Sequence, residues 1–185
     1  MTILVNDSKF PDMLSSIPLT SQLAVYDKTG LFNYKGFDSP NGFRFIIGGV
    51  STVPGYLKTY DGSDKPGLNN RPYENDAGIM EDYYTGRIAG KDRYKTAIEV
   101  AKAYEKILNR TISSIIIVNG EDFPDALASG IAAVHSDSPI LLTQHNMLNE
   151  DTKQFIKSKN IDNITIIGGE KSVSKNIEKE LRNLK

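Results

Sequence analysis

The chain contains one segment written twice. Ile3-Leu4-Val5-Asn6-Asp7 returns as Ile116-Ile117-Val118-Asn119-Gly120, and Phe10-Pro11-Asp12 returns as Phe123-Pro124-Asp125, all at a spacing of 113 positions. Leu14 and Ser16 are matched by Leu127 and Ser129. A second echo follows at a spacing of 120, where Phe45-Ile46-Ile47-Gly48-Gly49 faces Thr165-Ile166-Ile167-Gly168-Gly169. Two copies of a strand, turn and helix, each followed by a strand ending in Gly-Gly, predict a tandem α/β module. Such a chain suits a reiterated surface better than a single catalytic cleft.

The second copy is the more regular. Asp92 is placed to cap a helix from about Arg93 to Leu108, with Ala97, Val100, Ala101, Tyr104 and Leu108 on one face. Ser114 to Val118 reads as a strand buried on both faces. Gly120 permits a turn, Asp122 can cap the next helix, and Pro124 fits its first turn, where no N–H is needed. Asp125 then stands well against the helix dipole, as does its twin Asp12. Further strands are expected at 140–143 and 164–167, and helices at about 150–159 and 173–184. This alternation predicts parallel sheets with helices on both faces.

The first copy is shorter. Gly30, Gly36, Pro40 and Gly42 leave no room for a ten-residue helix between Tyr26 and Phe43, so the counterpart of the 150–159 helix is expected to be lost or reduced to a turn. Ser51 or Thr52 can start a short helix ending near Tyr60. Residues 61–86 are rich in Gly, Asp, Asn and Pro and read as a long irregular connector, expected as a surface loop anchored by Ile79, Met80, Tyr83 and Tyr84. The resulting division is an incomplete copy over 1–60, a connector over 61–86 and a complete copy over 87–185.

Composition narrows the partners. With 22 basic and 23 acidic residues, no global field steers the chain to nucleic acid or an acidic membrane. No apolar run approaches the ~20 residues needed to span a bilayer, so no membrane insertion is expected. The first 20 residues lack the basic and apolar regions of a signal peptide. Cysteine is absent, which rules out a disulfide scaffold.

One ordered series carries a family resemblance. It comprises Arg87-Ile88-Ala89-Gly90-Lys91-Asp92-Arg93-Tyr94-Lys95-Thr96-Ala97, then Asn119 to Ala128, then Pro139 to Thr143, then Ile166-Ile167-Gly168-Gly169 with Val173-Ser174. In that order it resembles the type-2 cell wall binding repeat of clostridial surface-layer and other cell wall proteins. The resemblance implies flavodoxin-like or Rossmann-like repeats, usually three in tandem with pseudo-threefold packing. It further implies an extracellular location at the wall or surface layer of a Gram-positive bacterium. The expected partner is an anionic, teichoic-acid-like wall polysaccharide held non-covalently, with any specialised activity supplied by a separate domain. This chain has a complete copy and a shorter one in place of three, so further repeats or a second copy of the chain are possible partners.

An anionic polymer needs cations and N–H donors at a strand-end cleft. Arg87, Lys91, Arg93 and Lys95 lie within nine residues around a helix start and are candidates, although Arg87 or Arg93 can equally staple the motif to Asp92, Asp122 or Asp125. Asn119 and its twin Asn6 end strands and can donate to the polymer or cap a turn. Thr143, at another strand end, is a further candidate contact. Asp92, Asp122, Asp125, Asp12, Gly168 and Gly169 are assigned structural roles in the motif. The Gly-Gly pairs match no nucleotide fingerprint and point to close chain approach.

No cofactor or metal is expected. His135 and His145 lack partners for a zinc site. Asp61, Asp64, Asn69, Asn70, Glu74, Asn75 and Asp76 lack the spacing of a calcium loop. Tyr83, Tyr84 and Tyr94 can stack on sugars or anchor the loop. The leading expectation is a non-catalytic wall anchor. The rivals are a self-assembling surface-lattice scaffold and an α/β hydrolase of wall glycopolymer acting through Asp125.

Overall fold

The computed structural model describes residues 2–27, 30–34, 45–53, 87–121 and 124–184. The first unit supplies β1 (Thr2–Val5), α1 (Phe10–Asp27), β2 (Gly30–Asn33) and β3 (Phe45–Ile47). Next come β4 (Arg87–Ile88) and α2 (Arg93–Leu108), then β5 (Ser114–Asn119), α3 (Pro124–His135), β6 (Ile140–Thr143), α4 (Glu150–Lys157), β7 (Asn163–Ile167) and α5 (Lys175–Arg182). The fold is α/β, and the described residues form two wholly parallel sheets flanked by helices. One sheet has the order β2-β1-β3-β4 and the other β6-β5-β7.

The strands form where β-branched and leucine side chains run without interruption. Ile115 to Val118 and Ile140 to Leu142 are fully buried, as expected of parallel strands covered on both faces. The duplicated segments adopt the same shape. In each unit the central strand lies between an edge strand and the Gly-Gly strand, with Leu4 opposite Ile46 in one sheet and Ile117 opposite Ile166 in the other. Helix α2 keeps the expected ends: Asp92 Oδ1 accepts the Lys95 N–H at 2.8 Å, and Asn109 closes the last turn at φ 50°.

Two strands were not expected. β2 pairs with β1 from Thr2–Gly30 to Val5–Asn33, occupying the place that β6 holds beside β5. Its opening glycine and partial exposure hid it from a reading based on apolar runs. β4 departs more. Arg87 and Ile88 open the second repeat in sequence, yet they pair with Ile46 and Ile47 and form the edge of the first sheet. Gly48 N–H donates to the Ile88 carbonyl at 3.0 Å. The proposed helix from Ser51 to Tyr60 and the 61–86 connector, with its tyrosines and acidic residues, lie almost wholly outside the described residues. Residues 51–53 form a turn.

The two units share one core. A continuous buried cluster joins Ile3, Val5 and Phe45 through Ile88 and Ile98 to Ile117, Phe155 and Ile177. A second cluster sets Leu14 of α1 among Tyr94, Ile116, Ala133 and Leu142. Helix α1 therefore packs against α2, α3 and β6 of the other unit. This docking brings the start of α2 alongside the strand ends of the first sheet.

Candidate functional site

A cleft of about 370 Å³ opens at the carboxyl ends of β1, β3 and β4. Lys9 and Asp12 reach it from the start of α1, and Gly49, Ser51 and Thr52 from the turn after β3. The opposite wall is Gly90, Lys91, Asp92, Arg93 and Thr96, from the loop and first turn leading into α2. Half of the cleft thus belongs to each sequence repeat. In open α/β sheets this end, where helix N-termini present N–H groups, is the usual ligand side.

Its side chains are held by short, specific contacts. Arg93 Nη1 donates to the Gly120 carbonyl at 2.6 Å. Among the described residues the arginine is a staple to a carbonyl oxygen. Lys91 Nζ lies 2.9 Å from Asp151 in the first turn of α4, with the lysine side chain 71% exposed. That hydrogen bond raises the lysine's proton affinity and lowers that of Asp151. The Gly90 N–H donates to Thr96 Oγ1 at 3.0 Å, fixing the loop before α2.

Asp12 lies on the cleft floor, 7% exposed. Burial pushes its carboxyl up to about 6, and the Arg93 guanidinium opposes that rise. A β-carbon built on Gly48 would fall 2.7 Å from Asp12 Oδ2, and Gly48 itself has φ 112°. Only glycine meets both demands. Gly168 repeats the conformation at φ 130°. The second glycine of the pair is different: an added β-carbon at Gly169 meets nothing within 4 Å, so close approach does not account for it.

Four expected contacts lie elsewhere. Asn119 Nδ2 donates to the Ser172 carbonyl at 2.8 Å while its Oδ1 accepts the Glu121 N–H. Asn6 does the same with the Thr52 carbonyl and the Ser8 N–H. Both are buried clamps tying a strand end to the turn after the Gly-Gly pair, so their amides are spent inside the chain. Thr143 is 0% exposed, with its hydroxyl against the Gln144 and Met147 carbonyls. Arg87 donates to the Gly48 carbonyl at 2.6 Å and secures β4. Tyr94 donates its hydroxyl to Glu121 at 3.2 Å, and burial, reinforced by that carboxylate, pushes it up to about 12. Asp122 and the Asp125 side chain lie outside the described residues. Lys9, Ser51, Thr52 and Thr96 were missed, and Lys9 was legible only as a cation three residues ahead of the repeated aspartate.

A family profile described as cell wall binding domain 2 (CWB2) matches residues 87–178. The chain carries a CWB2 domain. It is similar to the N-acetylmuramoyl-L-alanine amidase LytC of Bacillus subtilis (strain 168), 30% identical over 105 residues, or 57% of this chain. The amidase enhancer of the same organism is 39% identical over 98 residues, or 53% of this chain. The chain spans 20% and 13% of those two proteins. Its fold covers 99% of its own length on Cwp6 from Clostridium difficile, at TM-score 0.73 and 22% identity, and on Cwp8 at 0.65 and 24%. It matches 27% and 29% of those chains, and the likeness is one of fold. CWB2 is a wall-binding domain, and the chain therefore belongs to the extracellular bacterial cell wall.

Proposed function

We propose that the chain is a non-catalytic attachment module and that the cleft between its units holds an anionic, teichoic-acid-like wall polymer. The observation behind this reading is that Lys9 from one unit and Lys91 and Arg93 from the other meet at the starts of two helices. Phosphate oxygens call for such point charges beside backbone N–H groups. Lys91 can exchange its exposed partner Asp151 for a phosphate at little cost, because a solvated ion pair is weak. Arg93 keeps one nitrogen on Gly120 and has further N–H donors for the ligand.

Attachment without cleavage agrees with the roles of the cleft's two carboxylates. Asp92 is engaged as the cap of α2, and Asp12 packs beneath Gly48. Glycoside cleavage needs two carboxyl groups set across one substrate. Equilibrium binding of purified wall polymer at several salt concentrations tests the proposal. A Lys9→Ala, Lys91→Ala variant is expected to bind about tenfold more weakly, with a flatter salt dependence. Equal affinity and equal slope would remove the cleft as the contact. Shortening of the polymer on prolonged incubation would remove the non-catalytic assignment.

A further inference from the structure

Two carboxylates enter the cleft between the units, and the chain treats them differently. Asp92 accepts the Lys95 N–H and is spoken for as the cap of α2. Asp12 is 7% exposed, yet among the described residues no hydrogen bond or ion pair reaches its carboxylate. The hydroxyls beside it in α1 are turned to the backbone. Ser15 Oγ donates to the Asp12 carbonyl at 3.1 Å, and Ser16 Oγ to the Met13 carbonyl at 2.6 Å. Across the cleft floor, Thr52 brings its methyl carbon, and not its hydroxyl, closest to Gly48. A buried acceptor without a donor is costly, and native structures rarely keep one without a use for it.

The surroundings define the missing donor. Asp12 Oδ2 occupies the space left by the absent side chain of Gly48, at the floor of the 370 Å³ cleft. Above neutral pH the carboxylate is ionised and can only accept hydrogen bonds. Lys9, Lys91 and Arg93 already bring three cations to the same cleft. They repel a cationic group on a ligand and draw an anionic one to themselves. A neutral donor remains for Asp12. An acetamido N–H would bring a methyl group that needs apolar cover, whereas the lining is glycine, hydroxyl and charged side chains. A hydroxyl brings no such group.

We infer that Asp12 is the specificity-determining residue of the cleft, accepting a ligand hydroxyl next to the phosphate that Lys9, Lys91 and Arg93 hold. The inference rests on the anion-binding role proposed for the cleft. It narrows the ligand to a polyol or sugar phosphate and excludes a bare polyanion. A phosphate chain without hydroxyls leaves the carboxylate stranded as the ligand closes over it, with like-charge repulsion in addition. Sites built around a ligand hydroxyl reject analogues that lack it for this reason.

The test uses two synthetic oligomers of equal length and charge, one of 1,3-linked glycerol phosphate and one of 1,3-propanediol phosphate, which lacks the hydroxyl. Titration calorimetry at about pH 8 keeps Asp12 ionised. The full chain is expected to bind the glycerol oligomer about tenfold more tightly. In Asp12→Ala the two oligomers should bind alike, the propanediol oligomer no more weakly than before, since a negative charge has left the cleft. Asp12→Asn keeps the shape and one acceptor oxygen, so it should retain a smaller preference even if the alanine variant fails to fold. Equal affinity of the two oligomers for the parent chain overturns the inference while leaving the anion-binding role intact. A preference undiminished in both variants also overturns it, and binding of neither oligomer overturns both readings.

Discussion

Asp12 is a cleft residue whose ionisation the fold controls. Its carboxyl is raised from 3.8 to about 6, chiefly by burial, while Arg93 pulls the other way. Lys9, Lys91 and Asp92 are the other charged groups of its cleft. Between about pH 4 and pH 6 the folded chain retains a proton on Asp12 that the unfolded chain has released. Stability therefore falls as pH rises through that window and stays at the lower level above it. The cost at neutral pH is on the order of 3 kcal/mol. Asp12→Asn is expected to be more stable than the parent at pH 7, with the gap closing towards pH 4, as read by denaturant unfolding across that range. A gap independent of pH would show that Asp12 is not buried as an ionisable group.

At the scale of the element, β4 carries more than its two residues suggest. Ile88→Ala empties a fully packed position and is expected to cost about 2–4 kcal/mol. Ile164→Ala, on the partly exposed flank of β7, should cost less than half as much in the same unfolding measurement. Equal losses would mean that the two edges are alike. These edges also show where sequence reading stopped. β5 and β6 were legible as apolar runs, β7 as a β-branched run leading into Gly-Gly, and α2 by its cap and helical spacing. β2 and β4 were not, because four residues opened by a glycine and a lone Arg-Ile pair carry no periodicity. Arg87 has the chemistry of a ligand contact, and only the pairing partner, 39 positions earlier at Gly48, reveals its work as a strand fastening. The clamps at Asn6 and Asn119 were half legible: the turn was evident from spacing, the carbonyl 46 or 53 residues away was not.

For the whole molecule, the shared core sets the behaviour. Ile3 and Phe45 of one unit and Phe155 and Ile177 of the other belong to a single buried cluster, and α1 sends Leu14 into its neighbour. Neither unit can lose its packing without exposing the other's apolar surface. Calorimetry is expected to show one cooperative transition, with calorimetric and van't Hoff enthalpies in agreement. Two resolved transitions would mean that the units melt separately. The cleft shares this dependence, since its two walls come from different repeats and meet only when α2 docks on α1.

The place of β4 bears on how such chains can be recombined. A unit spliced in from Arg87 onward brings with it the strand that must latch onto whatever precedes it, so its compatibility with a new neighbour is decided largely by one dipeptide and a glycine. Repeats can then diverge widely in their outer helices and remain interchangeable. A cut made at that same residue has the opposite effect, leaving the upstream sheet unhemmed and the downstream piece with a loose thread.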